Sequence, residues 1–172
     1  MYNPVSTYRV QLNKNFTFKD LKKHLDYLAL LGVKTIYASP VFAAVPGSMH
    51  GYDVTDPHVF NHEIGTAEEF DEIVNVLKEK KMGWLQDIVP NHMAFHMGNQ
   101  WLEDVLERGP GSKYAGYFDI DFAHPDFAGR VMAPFLGKMH QEAVTEGEIR
   151  LELRNRKLVF AYFDLFFPVN AA

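Results

Sequence analysis

Two short apolar runs in the sequence are each followed by a group of polar side chains. A carboxylate, an amide and an imidazole follow the later run, and a loop with an imidazole, a phenol ring and a carboxylate follows the earlier one. Such a set suits a sugar, because a pyranose offers hydroxyls in its plane and C–H groups on its faces. The two groups are Asp87, Asn91 and His92, and His50, Tyr52 and Asp53.

The elements that must position these groups are three strands separated by two helices. Strand, helix, strand, helix, strand at this spacing predicts consecutive right-handed βαβ units and a parallel sheet. Ligands bind at the carboxyl ends of such strands, so we expect Tyr52, Asp87 and His92 to meet there. Strand caps for Asp87 and His92, and packing for Tyr52, are the structural alternatives. The predicted strands are 7–12, 33–38 and 84–89, and the helices follow capping boxes at Thr17/Asp20 and Thr66/Glu69.

The rhythm of strands and helices changes at two places. Residues 39–65 are predicted to be a long polar connection, because they contain several glycines and prolines. After Asn91 the pattern becomes irregular, with a short helix around 101–106. Residues 148–153 and 157–162 then predict an antiparallel hairpin. We therefore divide the chain into 1–92 and an irregular α+β part, 93–172.

The charge and the hydrophobicity of the chain argue against two classes of partner, nucleic acids and membranes. The chain has 172 residues, with 17 basic and 22 acidic side chains that give a net charge of −5. This balance, without a long basic block, disfavours nucleic acid and anionic membrane surfaces. No apolar run approaches the roughly 20 residues that a bilayer requires, and the first residues carry no signal-peptide pattern. We expect a cytoplasmic protein with no nucleic-acid or membrane partner.

Several other kinds of site are disfavoured by the residues themselves. Cysteine is absent, which excludes thiolate zinc and iron–sulfur sites. Two histidine pairs have i, i+4 spacing, His58 with His62 and His92 with His96, but neither is H-E-x-x-H and no third ligand is in view. The common phosphate-binding loops and the G-x-S-x-G elbow are also absent. We expect no metal and no cofactor.

Residues 87–92, Asp-Ile-Val-Pro-Asn-His, resemble the first conserved region of the α-amylase superfamily of glycoside hydrolases. Three more segments extend this resemblance: TYRVQL at 7–12, PGSMHGYDV at 46–54 and GYFDID at 116–121. Together they are similar to the maltooligosyltrehalose synthases, the glucosylmutase branch of that superfamily. Met49 and His50 stand where the oligoglucosidase branch often has Asp-Asn, which favours the synthase branch.

The resemblance implies an α/β fold of the TIM (β/α)8 type with a smaller domain inserted after the third strand. This chain would supply the first three βα units and an inserted irregular α+β subdomain, which leaves the barrel incomplete. The implied activity is that of a (1→4)-α-D-glucan 1-α-D-glucosylmutase. It converts the reducing-end α-1,4 bond of a maltooligosaccharide to an α,α-1,1 bond by retaining intramolecular transglycosylation.

The resemblance also implies roles for individual residues. The nucleophile, the acid/base and a third carboxylate of this superfamily come from strands 4, 5 and 7, so no catalytic residue is expected in this chain and it should be inactive alone. Tyr52 would stack on the sugar in subsite −1, and His92 would hydrogen-bond it. The implied substrate-binding residues are Tyr52, His92 and His50, and the supporting residues are Asp53, Asp87, Asn91, Arg9 and Gln11.

Two alternatives share these motifs. The chain could be part of an α-glucan hydrolase of the amylase or glucosidase type, which differs from a synthase in its products. It could also be a non-catalytic carbohydrate-binding module. In each case the expected ligand is a maltooligosaccharide. Three strands of a closed barrel would leave open edges, so we also expect the chain to self-associate.

Overall fold

The computed structural model describes residues 3–127 and 129–170, which form eight strands and four α-helices. The chain divides into two compact units, Met1–Ala94 and Phe95–Ala172. In chain order the elements are β1 (Thr7–Val10), α1 (Phe18–Leu30), β2 (Thr35–Ala38), β3 (Phe42–Ala44), β4 (Val54–Phe60), α2 (Ala67–Glu79), β5 (Gly83–Gln86), α3 (Gln100–Arg108), α4 (His140–Thr145), β6 (Ile149–Arg154), β7 (Lys157–Tyr162) and β8 (Leu165–Pro168). Short 3-10 turns lie at Gly109–Gly111 and Ala115–Tyr117.

A parallel sheet of three strands organises the first unit. Its order is β1-β2-β5, with α1 connecting the first pair and α2 preceding β5. The α/β class and the parallel pairing of the three predicted strands are confirmed. The strands are shorter than predicted, and β5 ends at Gln86, so Asp87 lies just beyond the strand.

The two faces of this sheet have different surroundings, because side chains alternate along a strand. On one face Val10, Ile36 and Ala38 are buried in a core shared with the helices, and Trp84 packs against that core. On the other face Arg9 and its cross-strand neighbour Tyr37 lie side by side. The face with Arg9 and Tyr37 is therefore available for a functional site, while the opposite, apolar face packs against the helices.

Both helices begin at capping boxes, as the sequence predicts. The side chains of Thr17 and Thr66 each accept a hydrogen bond from the backbone three residues later, and the acidic residues there bond back to the cap. Both helices then bury an apolar stripe against the sheet, namely Leu21, Leu25 and Leu28 in α1 and Ile73 and Leu77 in α2. The capping geometry and the stripe together fix where each helix starts and which side it presents.

The prediction of a plain polar connection over 39–65 is wrong. This segment contains β3 and β4, which pair in antiparallel fashion with register shifts after Phe42 and Ala43. Pro57 hides β4 in the sequence, because proline cannot donate to a ladder and normally argues against a strand. The pair tolerates it because β4 has no second partner among the described residues, which leaves one edge without a ladder.

The second unit is built on an antiparallel sheet in the order β6-β7-β8. The predicted hairpin of β6 and β7 is confirmed, and its turn residues Asn155 and Arg156 have φ of 48° and 65°. Two left-handed residues are what a tight two-residue hairpin requires. The sequence did not predict β8 or α4. In the described ranges no helix is long and apolar enough to cross a membrane.

We predict that Thr17→Ala lowers the free energy of unfolding by about 1 kcal/mol, because the first turn of α1 loses its side-chain cap. Urea unfolding followed by circular dichroism measures this change. Thr17→Ser keeps an acceptor oxygen and should stay close to the wild type. Equal stability of the alanine and serine variants would show that the cap contributes nothing.

Candidate functional site

At the carboxyl ends of the strands, one carboxylate oxygen accepts hydrogen bonds from two tyrosine hydroxyls. The hydroxyl of Tyr52 donates to Oδ2 of Asp87 at 2.5 Å, and the hydroxyl of Tyr37 donates to the same oxygen at 3.1 Å. Nη2 of Arg9 donates to the hydroxyl of Tyr52 at 2.7 Å and lies 3.9 Å from Oδ2 of Asp87. We call Arg9, Tyr37, Tyr52 and Asp87 the strand-end cluster.

The register of the parallel sheet explains why these residues meet. Tyr37 pairs with Arg9 on one side and with Leu85 on the other, so the three side chains share a face. Asp87 follows Leu85 by two residues and therefore points the same way. The backbone N–H of Asp87 donates to the carbonyl of Ala38 at 2.9 Å, which holds Asp87 to the sheet after β5 has ended.

Arg9 is held on two further sides. Its Nη1 donates to Oε1 of Gln11 at 3.2 Å, and its guanidinium carbon lies 5.4 Å from the centre of the Tyr37 ring. Gln11 in turn donates from Nε2 to the carbonyl of His50 at 3.0 Å. Arg9 on β1 and Gln11 just after it therefore bind the loop that carries Tyr52. Arg9 bonds to a side chain of the loop, and Gln11 bonds to its backbone.

The loop 45–53 is fastened by polar residues of its own and by Glu63. The N–H of Gly47 donates to both carboxylate oxygens of Glu63, at 3.0 and 3.1 Å. The hydroxyl of Ser48 donates to Asp53 at 2.5 Å and accepts the N–H of Gly51 at 3.1 Å. These bonds span the loop from its first turn to its last residue, so Tyr52 projects from a fixed backbone.

Gly51 is required by the space beside it. Its φ is +75°, in the left-handed region that side chains with a Cβ rarely adopt. A Cβ added there would lie 2.9 Å from the carbonyl oxygen of Pro40. The close approach of this backbone to the turn after β2 brings Tyr52 to the strand ends.

His50 has a defined tautomer in this arrangement. The backbone N–H of Tyr52 donates to Nδ1 of His50 at 3.0 Å, so Nδ1 is unprotonated and the neutral ring carries its proton on Nε2. Nδ1 also lies 3.6 Å from Oδ1 of Asp53. The rings of His50 and Tyr52 lie 6.0 Å apart with a 32° tilt. Together Tyr52 supplies a ring face and His50 supplies an Nε2–H donor beside it.

The structure brings together some of the predicted site residues and leaves others apart. Tyr52 and Asp87 meet as expected. His92 is exposed, and within residues 3–127 and 129–170 its one side-chain hydrogen bond joins Nδ1 to Oδ1 of Asn91, at 3.2 Å. Both residues follow Pro90, where the chain has left the sheet and no ladder holds it. No direct hydrogen bond or ring contact joins His92 to Tyr52 among the described residues, so a shared role of the two at one sugar stays a prediction.

Sequence reasoning did not single out Tyr37, Glu63 or Ser48. A phenol in an otherwise apolar strand was a usable signal for Tyr37, because a buried ring with a polar tip needs a partner. Nothing local marks Glu63, whose bond to Gly47 connects residues that are 16 apart in sequence.

The electrostatics of the strand-end cluster favour the protonated form of the Tyr52 phenol. The hydrogen bond to Asp87 raises the pKa of Tyr52, and the nearby guanidinium of Arg9 opposes part of that rise. The hydrogen bond to Tyr52 raises the pKa of Arg9. Two hydroxyls occupy Oδ2 of Asp87, so this oxygen is an acceptor that organises the site. Among the described residues no group of three or more His, Asp or Glu could hold a metal ion.

Comparisons with known proteins place this geometry in a family context. The model of the α-amylase catalytic domain matches residues 13–145. The chain is 43% identical over 140 residues to a putative maltooligosyl trehalose synthase of Mycobacterium tuberculosis, covering 77% of this chain and 18% of that protein. It is 33% identical over 115 residues to α-amylase 2 of Schizosaccharomyces pombe, covering 63% of this chain and 19% of that protein.

A comparison with solved structures also finds a maltooligosyltrehalose synthase. Maltooligosyltrehalose synthase from Arthrobacter ramosus matches with a TM-score of 0.85 and 36% identity, over 98% of this chain and 21% of that one. The chain spans about a fifth of the length of each of these relatives.

We predict that Tyr52 titrates above the ordinary phenol pKa of about 10, because Asp87 stabilises its protonated form. A pKa raised by folding means that the contribution to stability is present below pH 10 and is lost as the pH rises through the folded value. NMR of the labelled tyrosine Cζ carbons measures the titration, with exposed Tyr27 as reference. Asp87→Asn should move Tyr52 back towards 10. A wild-type value at or below 10 would contradict the prediction.

Proposed function

This chain belongs to the α-amylase catalytic-domain family, and we propose that it forms part of an enzyme that isomerises the reducing end of maltooligosaccharides. In the proposed reaction the last α-1,4 bond is cleaved and the same glucose is rejoined through an α,α-1,1 bond. The observation that carries the proposal is the strand-end cluster, which presents the Tyr52 ring in a chain 43% identical to a putative maltooligosyl trehalose synthase.

The proposed roles divide into sugar contact and support. Tyr52 stacks on the glucosyl unit in subsite −1, because its hydroxyl is tied down while its ring remains available. His50 donates from Nε2 to a sugar hydroxyl, since its Nδ1 is already used. His92, exposed and held only by Asn91, moves to the sugar when it binds.

The remaining residues hold these contacts in place. Asp87 orients Tyr52, because its Oδ2 accepts the hydroxyls of Tyr52 and Tyr37, and in our assignment the nucleophile comes from a later strand. Arg9 and Gln11 tie the loop to the first strand, and Asp53 closes the loop through Ser48. Asn91 supports His92.

The chemical step itself needs groups that we assign to the rest of the protein. Retaining glycoside chemistry uses a carboxylate nucleophile and an acid/base carboxyl roughly 5–5.5 Å apart on either side of the bond. We propose that strands later in an eight-stranded barrel supply both, and that the present sheet is its first three strands. On this view residues 1–92 are barrel and residues 93–172 are an insertion. A closed barrel also excludes water, so that the released glucose is rejoined and not lost.

Hydrolysis of α-glucans is the second candidate, and the 33% identity to an α-amylase favours it. Both candidates share the strand-end cluster and its −1 contacts. They differ in whether the glycosyl-enzyme intermediate is protected from water, so only the products of a complete enzyme separate them.

The test of the proposed function is a chimaera in which residues 3–170 replace the matching segment of the Mycobacterium tuberculosis relative. A second chimaera places the same residues in the Schizosaccharomyces pombe amylase. We expect the first to consume the reducing ends of maltopentaose without releasing glucose, and the second to be inactive. Activity only in the amylase background would overturn the assignment in favour of hydrolysis.

Within the synthase chimaera, Tyr52→Ala removes the stacking ring and should lower kcat/KM by about 1–4 kcal/mol in transition-state energy. Tyr27→Ala, on the exposed side of α1, is the matched control. If the first chimaera does not fold, NMR titration of the 172-residue chain with maltopentaose tests the same contact. Absence of binding by the folded chain would then count against the proposal.

The isolated chain should neither isomerise nor hydrolyse maltopentaose, since it lacks a second carboxyl across the scissile bond in our assignment. Chromatography for loss of reducing ends and for free glucose measures both reactions. Turnover that disappears in Asp87→Ala would show instead that this chain is a minimal enzyme.

We also predict that the isolated chain self-associates. Leu85 on the site face is exposed over 45% of its surface and Ile88, just beyond β5, over 60%, and β1 and β5 each have one edge unpaired within the described sheet. Open edges and apolar faces promote association. Sedimentation velocity should show a mass that rises with concentration, and a constant monomer mass would refute this.

A further inference from the structure

Tyr37 touches both groups that hold Tyr52. Its hydroxyl donates to Oδ2 of Asp87 at 3.1 Å, the oxygen that also accepts the hydroxyl of Tyr52. Its ring lies under the guanidinium of Arg9 at 5.4 Å, the cation that donates to Tyr52 from the other side. Among the described residues Tyr37 makes no direct hydrogen bond or ring contact to Tyr52. Any influence it has on Tyr52 therefore passes through Asp87 and Arg9.

The place of Tyr37 in the sheet makes it the best-anchored member of the cluster. It lies on β2, which is hydrogen-bonded to β1 on one side and to β5 on the other. Its backbone neighbours Ile36 and Ala38 are fully buried. By contrast, Tyr52 stands on a loop and Asp87 lies beyond the end of its strand. Because β2 is the rigid central strand, Tyr37 can hold the two less constrained residues, Tyr52 and Asp87, in a fixed orientation.

We propose that Tyr37 is a positioning residue for sugar binding, which fixes the Tyr52 ring through Asp87 and Arg9 without touching the sugar. This proposal rests on the proposed function of Tyr52 as the platform for the −1 glucosyl unit. A carboxylate with two hydroxyl donors on one oxygen has one preferred orientation. With a single donor it can rotate, and the ring that depends on it rotates as well.

The test uses variants that remove only hydroxyls. Tyr37→Phe keeps the ring under Arg9 and preserves packing in β2, and Tyr52→Phe keeps the stacking ring. Each single variant should weaken binding of maltopentaose to the 172-residue chain about threefold to tenfold, the range expected for one hydrogen bond. The exposed Tyr27→Phe is the control and should bind like the wild type.

The double variant decides whether Tyr37 acts through Tyr52. If it does, Tyr37→Phe has little further effect once the Tyr52 hydroxyl is gone, so the double variant binds about as well as the weaker single variant. Effects that multiply would show two independent roles and overturn the proposal. Wild-type affinity in Tyr37→Phe would overturn it as well.

A ligand-free readout separates this proposal from the proposed function. In Tyr37→Phe the Cζ resonance of Tyr52 and its titration midpoint should move, because the acceptor Asp87 has lost its second donor. An unchanged Tyr52 resonance overturns the positioning role whatever the chain binds. If the resonance moves but the wild-type chain does not bind maltopentaose, the link between the tyrosines stands and the sugar-binding role of Tyr52 fails.

Discussion

A single carboxylate oxygen, Oδ2 of Asp87, organises the polar face of the first unit. Two phenol hydroxyls converge on it, and Arg9 completes the group by donating to one of them. A carboxylate that accepts two hydroxyl donors is a good anchor, because its charge strengthens both bonds. The same oxygen therefore explains the raised pKa of Tyr52 and the fixed direction of its ring.

The other elements of the first unit position the residues that meet at Oδ2 of Asp87. Parallel register places Arg9 and Tyr37 in one row, and the helices cover the opposite face without competing for it. The loop from the second strand reaches the same point because Gly51 permits a close approach to Pro40. Short loops held by several bonds lose little entropy when a ligand binds. The ring of Tyr52 is therefore already in place before any ligand binds.

The sequence predicted the three parallel strands, both capped helices and the meeting of Tyr52 with Asp87, because these follow from periodicity and from the rule that parallel strands share one functional end. It missed β4, whose Pro57 breaks the strand pattern. It also missed Tyr37 and Glu63, whose partners lie far away in sequence. Such long-range pairs leave no local trace in one sequence. His92 follows Pro90 beyond the end of β5, where the alternation of the strand no longer sets the direction of a side chain.

The long separations within the strand-end cluster have a kinetic meaning. Tyr52 lies 43 residues from Arg9 and 35 from Asp87, and Tyr37 lies 50 from Asp87. Contacts of this range form late, because the chain must first close large loops. On the ribosome, α1 and the first strand pair can assemble while residue 87 is still inside the exit tunnel. We therefore expect the cluster to close late in folding, after the three strands of the parallel sheet have paired.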